Sequence, residues 1–383
     1  MVNYSAIVTS KTRTFTELCS AARLDLMQHK SSEYMHWAKT ASKARFNLAT
    51  SGVGAFPLRE LPFDYAQLEI NGNNPYGYEP LKRAIAERAG VDVDCVVTAE
   101  GTSMANYLAM ATVLSPGDEV LIEHPAYGLL VDAARYIGAE VKRFPRDEAG
   151  GWAVDPVAIR RALTPRTRLI VVTNLHNPSS VLTPDAVLRE VADLAAGAGA
   201  RLLVDEVYLD AVYEGTPRTS FHLGPRVIVT SSLTKIYGLS GLRCGWILAP
   251  PDLARAMYQL NNLFAATWVH PAELLSLAAF QHLDAIRERA RRIVEADRAR
   301  LAEFLDAQPG VSAVRTAWGT TAFLRLRHGD ADEFLARLRA EHETSAAPGR
   351  FFEMPHHFRV GMGVNAEMFR EGMRRIGLAL EKR

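Results

Sequence analysis

The sequence predicts an α/β fold, a mostly parallel seven-stranded sheet with helices on both faces and a smaller α+β domain beside it. Two observations carry this reading. Between residues 93 and 250, short apolar runs alternate with longer amphipathic ones, the rhythm of strands joined by helices. Beyond residue 271 that rhythm gives way to long helical stretches with a few isolated strands. At 383 residues, 48% hydrophobic and 23% charged, the chain has room for more than one packed lobe and the composition of a soluble globular protein.

Taken in order, residues 1–45 form an N-terminal arm, with a helix expected over 33–43 before the apolar stretch 46–49. Ser51-Gly52-Val53-Gly54 breaks the pattern, where glycines suit a turn. A dense loop signal runs from Asn71 through Gly72, Asn73, Asn74, Pro75, Tyr76 and Gly77 to Tyr78, ended by a helix over 81–88. The seven strands are expected at 95–98, 120–123, 140–144, 169–173, 202–205, 227–230 and 246–249, with helices at 104–114, 127–137, 187–196 and 252–263. One helical stretch is expected over 274–305, its charges from Asp284 to Arg298 making a solvated face. Strands at 311–315, 322–326 and 358–360, a helix over 331–341 and a last helix after 366 complete the smaller lobe. His356-His357 reads as a solvated doublet on a turn.

A formal net charge of +1 without long like-charge runs gives no case for nucleic acid or a membrane surface. Cys19, Cys95 and Cys244 are odd in number and widely spaced, which is no disulfide framework and points to a reducing compartment. Residues 1–22 have no continuous apolar core and no window reaches the length of a membrane span, so a cytoplasmic protein is expected. The 11 histidines include no pair at metal-ligand spacing, and no metal is expected.

In open α/β sheets, ligands gather at the carboxyl ends of the strands, so the strand-end loops are where chemistry is sought. Glu100-Gly101-Thr102-Ser103-Met104-Ala105-Asn106 follows a strand and opens a helix. Its free amides suit a phosphate, although Gly-Thr-Ser is equally an ordinary helix cap. In Asn174-Leu175-His176-Asn177-Pro178-Ser179-Ser180, Asn177 either points its amide into a cleft or marks a turn, and the bond before Pro178 could be cis. Asp205 closes a buried apolar strand and wants a cationic partner, either a protonated ring nitrogen or a nearby arginine. Lys235 lies in Ser231-Ser232-Leu233-Thr234-Lys235, between two apolar runs. It is either an exposed turn lysine or one held for imine chemistry, with Ser232, Thr234 and Arg243 able to clamp a phosphate.

The order and spacing of these loops resemble the fold-type I pyridoxal-phosphate (PLP) enzymes, specifically the class I/II aminotransferases, over about residues 46–380. Ser232 to Lys235 with Arg243 eight residues on follows that family's pattern, and Asn177-Pro178 precedes Asp205 and Tyr208 at its distances. Gly101 to Asn106 stands at its phosphate loop, and Pro125-Ala126-Tyr127 where it places an aromatic ring. The resemblance implies that Lys235 holds pyridoxal 5'-phosphate through an imine and moves the substrate proton. It implies that Asp205 keeps the pyridine nitrogen protonated and that Tyr208 and Asn177 bond the phenolic oxygen. It further implies that Tyr127 stacks on the ring, while Gly101, Thr102, Ser103, Ser232, Thr234 and Arg243 hold the phosphate. Arg359 in Phe358-Arg359-Val360-Gly361 resembles the carboxylate-binding arginine, and Gly52 the loop that touches the substrate.

Two positions depart from the family's pattern. Gly72 stands where a tyrosine usually reaches the neighbouring subunit's phosphate, leaving Asn73, Asn74 and Tyr76 as substitutes. Ser180 replaces the glycine of the Asn-Pro-Thr-Gly turn. The resemblance implies an aminotransferase exchanging amino groups between an L-amino acid and a 2-oxo acid by a ping-pong mechanism in a homodimer. The same ligand set supports a PLP lyase, cyclase or decarboxylase, and a non-catalytic sensor is the remaining alternative. The expected division is an arm over 1–50 that joins the small domain, a large domain over 51–272 and a C-terminal small domain over 273–383. No second arginine is apparent for a distal carboxylate, which argues against strict aspartate or glutamate specificity. Tyr4, Trp37, Trp268 and His270 are side-chain pocket candidates by position.

Overall fold

Strand β1 (Phe46–Asn47) precedes the seven strands of the large sheet: β2 (Val96–Glu100), β3 (Glu119–His124), β4 (Glu140–Pro145), β5 (Thr167–Thr173), β6 (Arg201–Asp205), β7 (Val227–Ser232) and β8 (Cys244–Leu248). In this computed structural model, which describes residues 30–215 and 217–381, they lie in the order β2-β8-β7-β6-β5-β3-β4, and only β8 runs against its neighbours. The expectations for Tyr4, Cys19 and the arm before Lys30 fall outside the described residues. All seven strands stand where the apolar runs put them.

Alternate residues of each strand point to opposite faces. Ile170 and Val172 of β5 enter one core with Leu202, Val204, Val227 and Val229. Leu169 and Val171 enter the other with Leu203, Ile228 and Ile247. Burial on both faces explains why these strands read as continuous Val, Ile and Leu runs. A sheet buried this way leaves polar side chains a place only at the strand ends, and that positions the site.

Strands β9 (Val311–Ala313), β10 (Thr321–Leu326), β12 (Ala347–Pro348) and β13 (His357–Gly361) form an antiparallel sheet in the order β12-β13-β10-β9. Strand β11 (Thr344–Ser345) pairs in parallel with β1, so chain from near both ends meets in the smaller lobe. Its core includes Leu48, Leu301, Leu324, Phe358, Phe369 and Ile376. Among the described residues no helix is long and apolar enough to cross a membrane.

Some expectations need correction. The single helical stretch is two helices, His270–Gln281 and Leu283–Ala307, parted at His282, whose φ of −122° and ψ of 17° leave the helical region. The first packs on the helix Glu79–Ala89 and the second on Ala366–Glu381, so their axes answer to different partners. A helix over Pro156–Ala162 went unanticipated, although Asp155 caps the amide of Val157 and Pro156 opens the first turn. Residues β1, β11 and β12 are two-residue strands, too short to carry a periodicity. His357 is not solvated. It is buried in β13, its ring stacked on Phe323 at 4.7 Å and Nε2 3.4 Å from Glu148. Among the described residues the cis peptides are His124–Pro125 and Asn174–Leu175, so Asn177–Pro178 is trans.

Candidate functional site

A cavity of about 380 Å³ opens over the carboxyl ends of β5, β6 and β7. Its lining brings together Thr102, Ser103, Tyr127, Asn177, Asp205, Tyr208, Thr234, Lys235 and Arg243, residues drawn from five separate loops. Gly101, Ser232 and Arg359 stand immediately behind that lining.

At one end the helix Gly101–Val113 begins, presenting its unsatisfied amides. Thr102 donates its hydroxyl hydrogen to Oγ of Ser232 at 2.8 Å, and the amide of Thr234 donates to the same oxygen at 3.2 Å. Arg243 donates to the carbonyls of Glu100 at 3.0 Å and Ser240 at 3.2 Å, its own φ being +50°. A Cβ on Gly101 would overlap this guanidinium, so the glycine is what admits Arg243. Cation, hydroxyls and helix amides converge, as an anion's site requires.

At the far end Asp205, the last residue of β6, is buried. Oδ2 accepts from Nδ2 of Asn106 at 2.8 Å and Oδ1 from the amide of Val207 at 3.1 Å. Burial pushes its carboxyl up to about 6, against those hydrogen bonds and the charge of Lys235. No ion pair satisfies it among the described residues, so a cation placed against it would relieve the cost of burial. A planar molecule with a phosphate at one end and a protonated ring nitrogen at the other fits this donor and acceptor set.

Between the two ends, Lys235 donates from Nζ to Oγ of Ser51 at 3.1 Å. Gly52 packs on the backbone of Lys235, where an added Cβ would stand 2.8 Å from the carbonyl oxygen. Ser51 lines the cavity and Gly52 does not, which moves the expected loop contact by one residue. Tyr127 donates its hydroxyl to Sδ of Met35 at 3.3 Å, and burial pushes that phenol's pKa up. Arg359, fully buried on β13, donates to Oδ1 of Asn177 at 2.9 Å and to Oη of Tyr34 at 3.0 Å.

The two departures have local explanations. Ser180 adopts a φ of +62° in the glycine's place. Its hydroxyl donates to the carbonyl of Thr321 at 2.7 Å and accepts from the Thr321 amide at 3.2 Å, which ties the loop to β10. At Gly72 an added Cβ would run into the ring of His270, so that histidine fills the space a larger residue would need. Asn74 is buried against Glu273, to which it donates, and Tyr76 rests on Tyr258. Neither lines the cavity, nor does Asn73. Of the positional candidates, Trp37 packs on Tyr34 and Phe351, while Trp268 lines a separate cavity behind Arg243.

Asn106, Ser51 and Tyr34 were not singled out from the sequence. Asn106 sits one turn after Thr102 on the same helix, and that spacing was the available signal.

A family model described as aminotransferase class I and II matches residues 67–376. The chain is 33% identical over 350 residues to a capreomycidine synthase of Streptomyces vinaceus, covering 87% of this chain and 89% of that protein. It is 30% identical over 329 residues to an arginine–pyruvate transaminase of Pseudomonas aeruginosa, covering 81% and 83%. A PLP-dependent aminotransferase from Streptococcus suis superposes with a TM-score of 0.86 at 25% identity, covering 91% of this chain and 96% of that one. A PLP-dependent cyclase superposes with a TM-score of 0.85 at 26% identity, covering 92% and 97%.

Proposed function

Because this chain belongs to the class I and II aminotransferases, for which pyridoxal phosphate is the cofactor, we propose that it exchanges the amino group between an L-amino acid and a 2-oxo acid by a ping-pong mechanism. The carrying observation is that Thr102, Asp205, Lys235 and Arg243, from three separate strand-end segments, face one cavity with Asn177 and Arg359 at its side. Bound there, pyridoxal phosphate supplies an electron-poor ring that spreads negative charge arising at the substrate α-carbon.

The chain's residues do the rest. Gly101, Thr102, Ser103, Ser232, Thr234 and Arg243 bind the phosphate. Asp205 would hold a proton on the ring nitrogen, Tyr127 would pack on the ring, and Tyr208 and Asn177 would bond its phenolic oxygen. Lys235 takes the proton from the α-carbon and returns it across a short path, with Ser51 orienting its nitrogen. Arg359 receives the α-carboxylate. Among the described residues, Lys235 and Arg243 are the only cations lining the cavity, which supports substrates without a second carboxylate.

The working unit we propose is a large domain over 51–272, an arm over 1–50 and a small domain over 273–383, acting in the cytoplasm as a homodimer. Exposed Ile70, Leu263, Phe264 and Val269 support the dimer, since they stand on loops joined through the Asn74–Trp268 hydrogen bond and a second copy would cover them.

The likeness to a capreomycidine synthase and to a PLP-dependent cyclase favours one second reading, elimination and ring closure on a substituted amino acid. Purified enzyme incubated with single amino acids, with and without a panel of 2-oxo acids, separates the two. Keto product only with an acceptor supports transamination. Turnover of the donor without an acceptor, with release of a leaving group, supports elimination. Cofactor still trapped by borohydride on Lys235→Ala at the wild-type level would overturn the site itself.

A further inference from the structure

Arg359 has no solvent exposure and no carboxylate partner among the described residues. Its donors go to neutral oxygens: Nη1 to Asn177 at 2.9 Å, Nη2 to Oη of Tyr34 at 3.0 Å and to the carbonyl of Ala49 at 3.2 Å. Nε has no partner. The rings of Phe352 and Tyr34 lie 5.2 and 5.9 Å from the guanidinium carbon. A buried guanidinium served only by neutral groups is a seat for an anion. Yet the cavity is lined by Tyr34, Ala49 and Asn177, the three residues that hold Arg359, and not by Arg359.

Tyr34 is the second residue of the helix Glu33–Thr40, which with the residues after it forms one wall of the cavity through Met35, Ala38 and Ser42. Its ring is set edge-on to Tyr127 and Phe351, both at 5.4 Å. Among the described residues its hydroxyl oxygen makes no hydrogen bond besides the one from Arg359. We propose that Tyr34 gates the carboxylate subsite: its phenol oxygen occupies Arg359 while the site is empty, and the substrate's α-carboxylate displaces it. This rests on the reading of Arg359 as the carboxylate's anchor.

The exchange is favourable because a carboxylate replaces a neutral acceptor on a buried cation, and a hydrogen bond between two charged groups is the stronger one. Burial alone would raise the pKa of Tyr34, but it is lowered, through Arg359 and Lys235. The phenol is thus held by the cation that would hold the substrate's carboxylate.

Propionate, a carboxylate with no amino group to react, tests this by calorimetric titration of the holoenzyme. Tyr34→Phe removes the competing oxygen and leaves an arginine N–H unpaired in the empty site, so propionate should bind roughly threefold to tenfold more tightly. Arg359→Lys should weaken it by about tenfold or more. In the wild type, hydrogen exchange of amides 33–40 should rise when propionate saturates the site. Unchanged or weaker binding by Tyr34→Phe, with Arg359→Lys still weakened, overturns the gate and leaves the anchor standing. Wild-type affinity in Arg359→Lys overturns the anchor and the gate together. If Tyr34→Phe does not fold, the exchange experiment decides, and no rise in exchange overturns the gate.

Discussion

Asn106 donates its side-chain amide to Oδ2 of Asp205 at 2.8 Å, and its own carbonyl oxygen accepts from the hydroxyl of Thr230 at 2.6 Å. The carboxylate at the end of β6 is therefore aimed by a side chain from the helix Gly101–Val113, which is itself locked by β7. Asn106→Ala removes the aim and leaves the Thr230 hydroxyl without its acceptor. A lost buried bond of this kind costs about 1–2 kcal/mol, so cofactor affinity should fall about tenfold. Titrating the apoenzyme with pyridoxal phosphate checks it, and an unchanged dissociation constant would mean that Asp205 keeps its place unaided.

Asp205 also sets a pH dependence in the apoenzyme. Its folded value of about 6 lies above the ordinary aspartate value of 3.8. Between these values the native state binds the proton more readily than the unfolded chain, so stability from this group falls as pH rises from about 4 to about 6. Asp297, raised to about 6, and Glu206, raised to about 7, slope the same way. Asp205→Asn should therefore flatten the fall in apoenzyme melting temperature between pH 4.5 and 6.5 in part, leaving the share of the other carboxyls that burial raises, Glu123 and Glu273 among them. A wild-type slope in the variant would show that Asp205 titrates normally.

How much of this was readable depends on how far apart the partners lie in the chain. Lys235, Asp205 and Arg243 were visible because each stands at the end of an apolar run, and a run buried on both faces leaves a mark in the sequence. The seven strands were visible for the same reason. Tyr34 and Arg359 meet across 325 residues, Lys235 and Ser51 across 184, and Ser180 and Thr321 across 141. Such contacts exist only once distant parts of the chain have folded on each other, and no local pattern encodes them. The break at His282 was hidden because helical periodicity continues on both sides of it, and only the change of packing partner marks it. Ser180 looked like a lost turn glycine. The hydrogen bonds that compensate for its positive φ come from another strand.

Gly101 offers a direct test of the anion end of the cavity. Its φ of +79° is open to glycine, and a methyl group there would collide with the Arg243 guanidinium. Gly101→Ala carries two costs, a left-handed strain of about 1–2 kcal/mol and the displacement of Arg243 from the carbonyl of Glu100. Gly117, with a φ of +89° and nothing within 4 Å of an added Cβ, isolates the first cost. Gly117→Ala should lower the melting temperature and leave cofactor affinity alone. Gly101→Ala should also lower the melting temperature, and in addition it should lose affinity for pyridoxal phosphate by about tenfold or more while binding pyridoxal, which lacks the phosphate, nearly as the wild type does. The ratio of the two dissociation constants is the decisive measurement, because strain in the loop lowers both affinities and leaves the ratio unchanged, whereas displacement of Arg243 reduces it. A ratio equal to that of the wild type would take Arg243 out of the phosphate site.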